Sequence, residues 1–174
     1  MFAKTFRNTL VASSLLVGAS LIAGPAVLAA TDNDTVTATV AEVNTINFVA
    51  ATTAFTGGAA APTFAMGNLD VQNNAALGWT LDVSSGNGGK LVNTVTPAHA
   101  ITYTQLTTAN IGASVATPVT PTVATPSGQL HTSAFDATVA AGVTGVAVTA
   151  NIAANQFVPV GSYTDTLTFT LTSK

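Results

Sequence analysis

Apolar and polar residues alternate most regularly at the C-terminus. There Tyr163, Asp165, Leu167, Phe169 and Leu171 fall out of phase with Thr164, Thr166, Thr168, Thr170 and Thr172. A period of two places one set on a single face of a pleated strand, so this stretch predicts a β-strand with one buried face. Pro159-Val160-Gly161-Ser162 precedes it and supplies a turn. Val146, Val148, Ala150 and Ile152 alternate with Ala147, Thr149 and Asn151 and predict a second strand, expected to form a hairpin with the first across 153–162. Upstream, Val36, Ala38 and Val40 alternate with Thr35, Thr37, Thr39 and Ala41, and 46–49 extends that pattern after a break.

In the middle of the chain Leu77, Trp79, Leu81 and Val83 mark a strand, followed by a turn over 84–89. Further strands are expected over 90–95, over 100–106 with Ile101, Tyr103 and Gln105 in phase, and over 135–139. Residues 117–128 hold Pro118, Pro121, Pro126 and Gly128 and read as an exposed loop or an interrupted edge strand. About eight short strands separated by turns, with no helical period, predict an all-β, antiparallel β-sandwich.

Residues 1–30 alter this picture. Lys4 and Arg7 precede an apolar run from Leu10 to Ala23, and Val27-Leu28-Ala29-Ala30 closes it with small residues, which is the layout of a cleaved signal peptide. Ser13, Ser14, Gly18, Ser20 and Gly24 interrupt the run, so a retained anchor is the weaker reading, because spanning a bilayer takes roughly 20 apolar residues. A single β-sandwich domain is expected over 31–174, exported to the periplasm, cell surface or exterior. Its only cations are Lys90 and Lys174 against seven acidic residues, so it lacks the basic footprint that nucleic acid requires. Cysteine is absent, which removes disulfides and thiolate metal sites.

Candidate chemistry is sparse, and no cofactor, metal or catalytic site is expected. No G-x-S-x-G elbow occurs, and His99 and His131 both fall in apparent loops, where solvated histidines are the default reading. Asp32-Asn33-Asp34 lacks the remainder of a calcium loop, Asn33-Asp34-Thr35 is a formal glycosylation sequon, and Gly86-Asn87-Gly88-Gly89 reads as a hairpin turn. Phe48, Phe64, Trp79, Tyr103, Phe135, Tyr163 and Phe169 are expected in the core, which leaves Phe55 and Phe157 as exposed contacts.

The stretch Pro159-Val160-Gly161-Ser162-Tyr163-Thr164-Asp165-Thr166-Leu167-Thr168-Phe169-Thr170 resembles the closing signature of spore coat protein U type domains, which look like chaperone–usher pilins. Residues 77–86 and 100–106 are similar to that family's central strands. The signature residues are Gly161, Tyr163, Asp165, Thr166, Leu167 and Phe169. The family's usual cysteine pair is missing, and Thr172-Ser173-Lys174 replaces its terminal aromatic.

The resemblance implies an immunoglobulin-like, pilin-like sandwich of about seven to nine strands, acting as a structural subunit of a pilus, coat or other surface assembly. Such a subunit pairs with other copies of itself or related subunits by strand addition, with a periplasmic chaperone and outer-membrane usher as further partners. Residues 31–43 would then be the donor, with Val36, Ala38 and Val40 as groove-filling side chains, and Tyr163, Leu167, Phe169 and Leu171 would lie in the receiving core. The alternative expectation is a self-contained binding module, for carbohydrate among other ligands, using loops such as 54–61 and 117–128.

Overall fold

A β-bulge in the longest strand explains why that strand escapes a search for period two. Strand β2 (Thr63–Asn73) buries Met66, then shifts register between Ala65 and Gly67 and again between Leu69 and Val71. The first adds a residue to β2 and moves its buried set from Met66 to Leu69, Val71 and Asn73, whereas the second adds its residue to β7. The computed structural model describes residues 35–58 and 61–174, so the signal peptide expected over 1–30 and Asp32-Asn33-Asp34 lie outside the described residues.

Besides β2, the strands are β1 (Asn44–Ala50), β3 (Trp79–Ser85), β4 (Lys90–Asn93), β5 (Ala100–Thr108), β6 (Ser127–Ser133), β7 (Val143–Ile152), β8 (Tyr163–Thr164) and β9 (Leu167–Ser173). They form a sandwich of two antiparallel sheets. The larger runs β1-β2-β7-β5-β4-β8 and the smaller β6-β3-β9. Thr39–Lys174 make one compact unit. Between the sheets lie Leu69, Trp79, Leu81, Tyr103, Leu106, Leu130, Val148 and Ile152, all at most 1 % exposed. No helix among the described residues is long and apolar enough to cross a membrane.

Two strands change sheets. β3 leaves the smaller sheet and re-enters the larger as β4 through the turn after Ser85, and β8–β9 follows it antiparallel, pairing Thr164 with Val92 and Leu167 with Ser85. The predicted C-terminal strand is therefore bent at Asp165-Thr166. The expected hairpin between 146–152 and this strand does not form. β7 pairs instead with β2 and β5 inside the larger sheet, because its continuous buried set, Val146, Val148, Ala150 and Ile152, suits a central position.

Other local expectations are corrected. The strand expected from Thr35 is absent: residues 35–43 carry no regular secondary structure, and β1 starts at Asn44. The strand expected over 135–139 is a helical turn, α1 (Ala137–Ala141), because Asp136 accepts the Thr138 N–H as an N-cap. Phe135 beside it is 52 % exposed, outside the core. Strand β3 begins at Trp79, leaving Leu77 exposed beyond the turn at Gly78. A bulge between Tyr103 and Gln105 puts Gln105 on the surface and turns Leu106 and Thr108 inward. The Pro-rich segment is largely exposed, yet it anchors through buried Val119, bridged to Leu106, and leads into β6, which buries His131.

Candidate functional site: the seam between the first and last strands

One edge of each sheet meets the other where β1 lies alongside β9. β1 pairs only with β2, and β9 only with β3, so each presents its other side unpaired among the described residues. Side chains close the gap instead of backbone bonds. The rings of Phe48 and Phe169 are 4.8 Å apart at 47°, and the Asn44 carboxamide donates to the Leu171 carbonyl at 3.2 Å. Ile46 and Phe48 on β1, and Leu167 and Phe169 on β9, are half-buried against the core, while Leu171 is buried. The seam is thus an apolar strip between two strand edges that pair with no further strand among the described residues, with the Leu171 carbonyl taken up by Asn44, and an unpaired edge is what an added strand requires.

Three asparagines organise the end of the seam where the chain enters β1. Buried Asn73 donates to Asn44 Oδ1 at 3.1 Å and to Ser173 Oγ at 2.9 Å, tying the first strand to the last. Asn74 Oδ1 accepts the Val43 N–H at 2.7 Å, its Nδ2 donates to the Ala41 carbonyl at 2.8 Å, and its own N–H donates to the Val43 carbonyl at 3.1 Å. Ala41, Glu42, Ala75, Ala76, Ser173 and Lys174 border the same depression. Of the donor candidates Val40 borders this depression, and Val36 and Val40 are 94 % and 84 % exposed. Ala38 is exposed as well. Sequence reading missed these asparagines, whose only signal is the Asn73-Asn74 pair before a turn.

The signature residues gather at the bend of the last strand. Asp165 Oδ2 accepts the Tyr103 hydroxyl at 2.5 Å and the Ser85 hydroxyl at 2.6 Å, and Oδ1 accepts the N–H groups of Asn87 and Thr166 at 2.9 and 2.8 Å. The Thr166 carbonyl accepts from Gly86 N–H. Burial, followed by the bond to Asp165, pushes the Tyr103 phenol well above the ordinary tyrosine range. Tyr163 is half-buried and donates to the Pro159 carbonyl at 2.7 Å, closing the loop that holds Gly161, whose Cα faces the Asn93 carboxamide. The Gly86–Gly89 turn is therefore bound to the Asp165 carboxylate through the Asn87 N–H. Leu167 and Phe169 alone carry the signature into the seam.

His131 overturns its reading as a solvated histidine. It is 1 % exposed, 5.9 Å from the Trp79 ring, with Nε2 at 2.6 Å from Thr108 Oγ1 and Nδ1 at 3.0 Å from Ser114 Oγ. Ser114 donates to the Thr132 carbonyl at 3.2 Å, so it accepts from Nδ1–H and leaves Nε2 to accept from Thr108. Burial lowers the imidazole pKa from its ordinary value. This cluster offers no accessible nucleophile, as Ser114 is itself buried. His99 is exposed in its turn. Among the described residues no three histidine or carboxylate side chains gather to hold a metal.

Phe157 is exposed, as expected, whereas Phe55 is half-buried and packs edge-on against Phe64 with centroids 6.4 Å apart. Compared with known proteins, the chain has no significant match to any family model, curated protein or solved structure.

Proposed function

We propose that the chain is an exported, pilin-like structural subunit with an immunoglobulin-like sandwich, assembling into a surface fibre, coat or similar array by strand addition between copies. The observation that carries this reading is the unpaired edge of β9 across an apolar strip from β1, in a chain whose alternating segment 35–43 forms no strand of its own. Val36, Ala38 and Val40 are the groove-filling side chains. Leu167 and Phe169 receive them at the rim, and Leu171 lies beneath, while Tyr163 shapes the loop that leads into the receiving strand.

Donor and receiver are different surfaces, so the contact is heterologous and propagates head to tail unless a ring closes. That geometry suits a polymer. The second reading, a self-contained binding module, draws on Phe157 and Val160, which are 75 % and 102 % exposed on the loop before β8. Light scattering after size exclusion decides between them. The protein, purified from the periplasm of an expression host, should form concentration-dependent oligomers that are lost on deletion of residues 35–40. Monomers at every concentration, with or without that segment, reject strand addition.

A further inference from the structure

We infer that Asn74 is a positioning residue that reserves the N-terminal segment for a second copy of the chain and denies it to the chain's own seam. The inference rests on the strand-addition reading and concerns its least obvious requirement. A segment tethered to its own domain meets a nearby groove at an effective concentration in the millimolar range. Self-pairing therefore outcompetes pairing between copies at ordinary protein concentrations, unless geometry forbids it.

Geometry forbids it at residues 41–44. The seam runs from Asn44, opposite Leu171, toward Phe48, opposite Phe169, so it extends along β1 in the direction of increasing residue number. Residues 41–43 lie on the other side of Asn44, where Ala41 and Glu42 border Asn74–Ala76 and the C-terminal Ser173 and Lys174 and Val43 bonds to Asn74. To enter its own seam the chain would have to reverse between Val40 and Asn44. A tight reversal there requires the backbone groups of Ala41 and Val43 to turn, and these are the groups that Asn74 holds: Val43 N–H and the Ala41 carbonyl by its side chain, and the Val43 carbonyl by its main chain.

The side chain is suited to this because it donates and accepts at once. Aspartate in its place could accept from Val43 N–H but would set a carboxylate oxygen against the Ala41 carbonyl. Asn74 and Val43 also exchange both backbone bonds of an antiparallel pair in mixed form, main chain one way and side chain the other. The carboxamide therefore extends the β1–β2 ladder by a step past Asn44–Asn73 and carries the chain straight on.

The test compares four proteins by light scattering over a dilution series, with hydrogen exchange at the β9 amides as the second readout. These are the wild type, the deletion of 35–40, Asn74→Ala, and a form with about eight Gly/Ser residues inserted between Val40 and Ala41, enough to reach roughly 26 Å. The insertion leaves every Asn74 bond in place yet supplies the reversing loop, so it reports even where Asn74→Ala misfolds. We expect both altered forms to become monomers with protected β9 amides, raising the concentration for half-association at least about tenfold. Should both associate at wild-type concentrations while the deletion is monomeric, the role of Asn74 is refuted and strand addition stands. Association that ignores the deletion refutes both.

Discussion

Tyr103 and Asp165 are joined by a hydrogen bond of 2.5 Å that pins the larger sheet to the point where the last strand changes sheets. The same carboxylate accepts Ser85 Oγ and two backbone N–H groups, and Ser85 Oγ in turn accepts from Gly89 N–H at 2.7 Å. One acidic residue thus satisfies the polar groups exposed where β3–β4 and β8–β9 both bend. Asp165→Ala should leave the buried Tyr103 and Ser85 hydroxyls without their acceptor and cost about 3 kcal/mol, since bonds to a charged acceptor and orphaned buried donors both weigh heavily. Urea unfolding checks this, and a loss below about 1 kcal/mol would show that water replaces the carboxylate.

The pair also sets an alkaline limit. Tyr103 has its pKa raised in the folded protein, chiefly by burial and then by Asp165. In the unfolded chain it ionises at about pH 10. Its neutral form is therefore favoured by folding, and that stability is complete below about pH 10 and is lost as pH rises from there toward the folded value. Wild-type protein should lose stability above about pH 10 more steeply than Tyr103→Phe, measured as urea midpoints at matched ionic strength.

At acid pH the sign reverses. His131 is buried as the neutral ring between Thr108 and Ser114, and burial lowers its pKa from 6.5. Folding thus disfavours the charged form. The stability this gives is present above the unfolded pKa of about 6.5 and is lost as pH falls through the folded value. Protonation would also turn Nε2 into a donor facing Thr108 Oγ1, forcing that hydroxyl to find a new acceptor. Stability should fall as pH drops below about 6.5 in the wild type and stay flatter in His131→Gln. Trp79, the sole tryptophan, lies against the ring and gives a fluorescence readout. A pH-independent midpoint across that window in the wild type would sink the argument.

Where period two held, the sequence disclosed the fold. Trp79, Leu81 and Val83 are all buried, and Leu171 with half-buried Leu167 and Phe169 forms one face of β9, as the C-terminal alternation predicts. Bulges hid the rest. The parity changes in β2 and β5 made Met66, Leu69 and Leu106 look irregular, and a reading that assumes constant period has no means to place a bulge. The hairpin expected between neighbouring C-terminal strands failed because sequence neighbourhood says nothing about sheet changes, and β8–β9 follows β3–β4 instead. The candidate site is half legible: alternation marks Leu167, Phe169 and Leu171 and the pattern over 46–49 marks Ile46 and Phe48, whereas Asn73 and Asn74 act only through partners distant in sequence.

The strip between β1 and β9 depends on a residue that has no side chain. Gly67, in the first bulge of β2, has φ +150°, and a Cβ there would fall 2.3 Å from the Val49 carbonyl oxygen and 2.7 Å from the Phe48 ring. Phe48 lies over Gly67 and reaches Phe169 from that position. Gly67→Ala must therefore push β1 or its ring away, and with a backbone better suited to glycine it should cost more than about 1 kcal/mol. The damage should be local. Hydrogen exchange should accelerate at Ala51 N–H, which bonds to the Met66 carbonyl at 2.9 Å, while the amides of β3 in the smaller sheet keep their protection. If strand addition uses this seam, the same variant should dissociate oligomers before it unfolds. Unchanged stability and unchanged exchange at β1 would mean that Phe48 repacks without loss, and the seam would then tolerate a wider range of side chains than its present packing indicates.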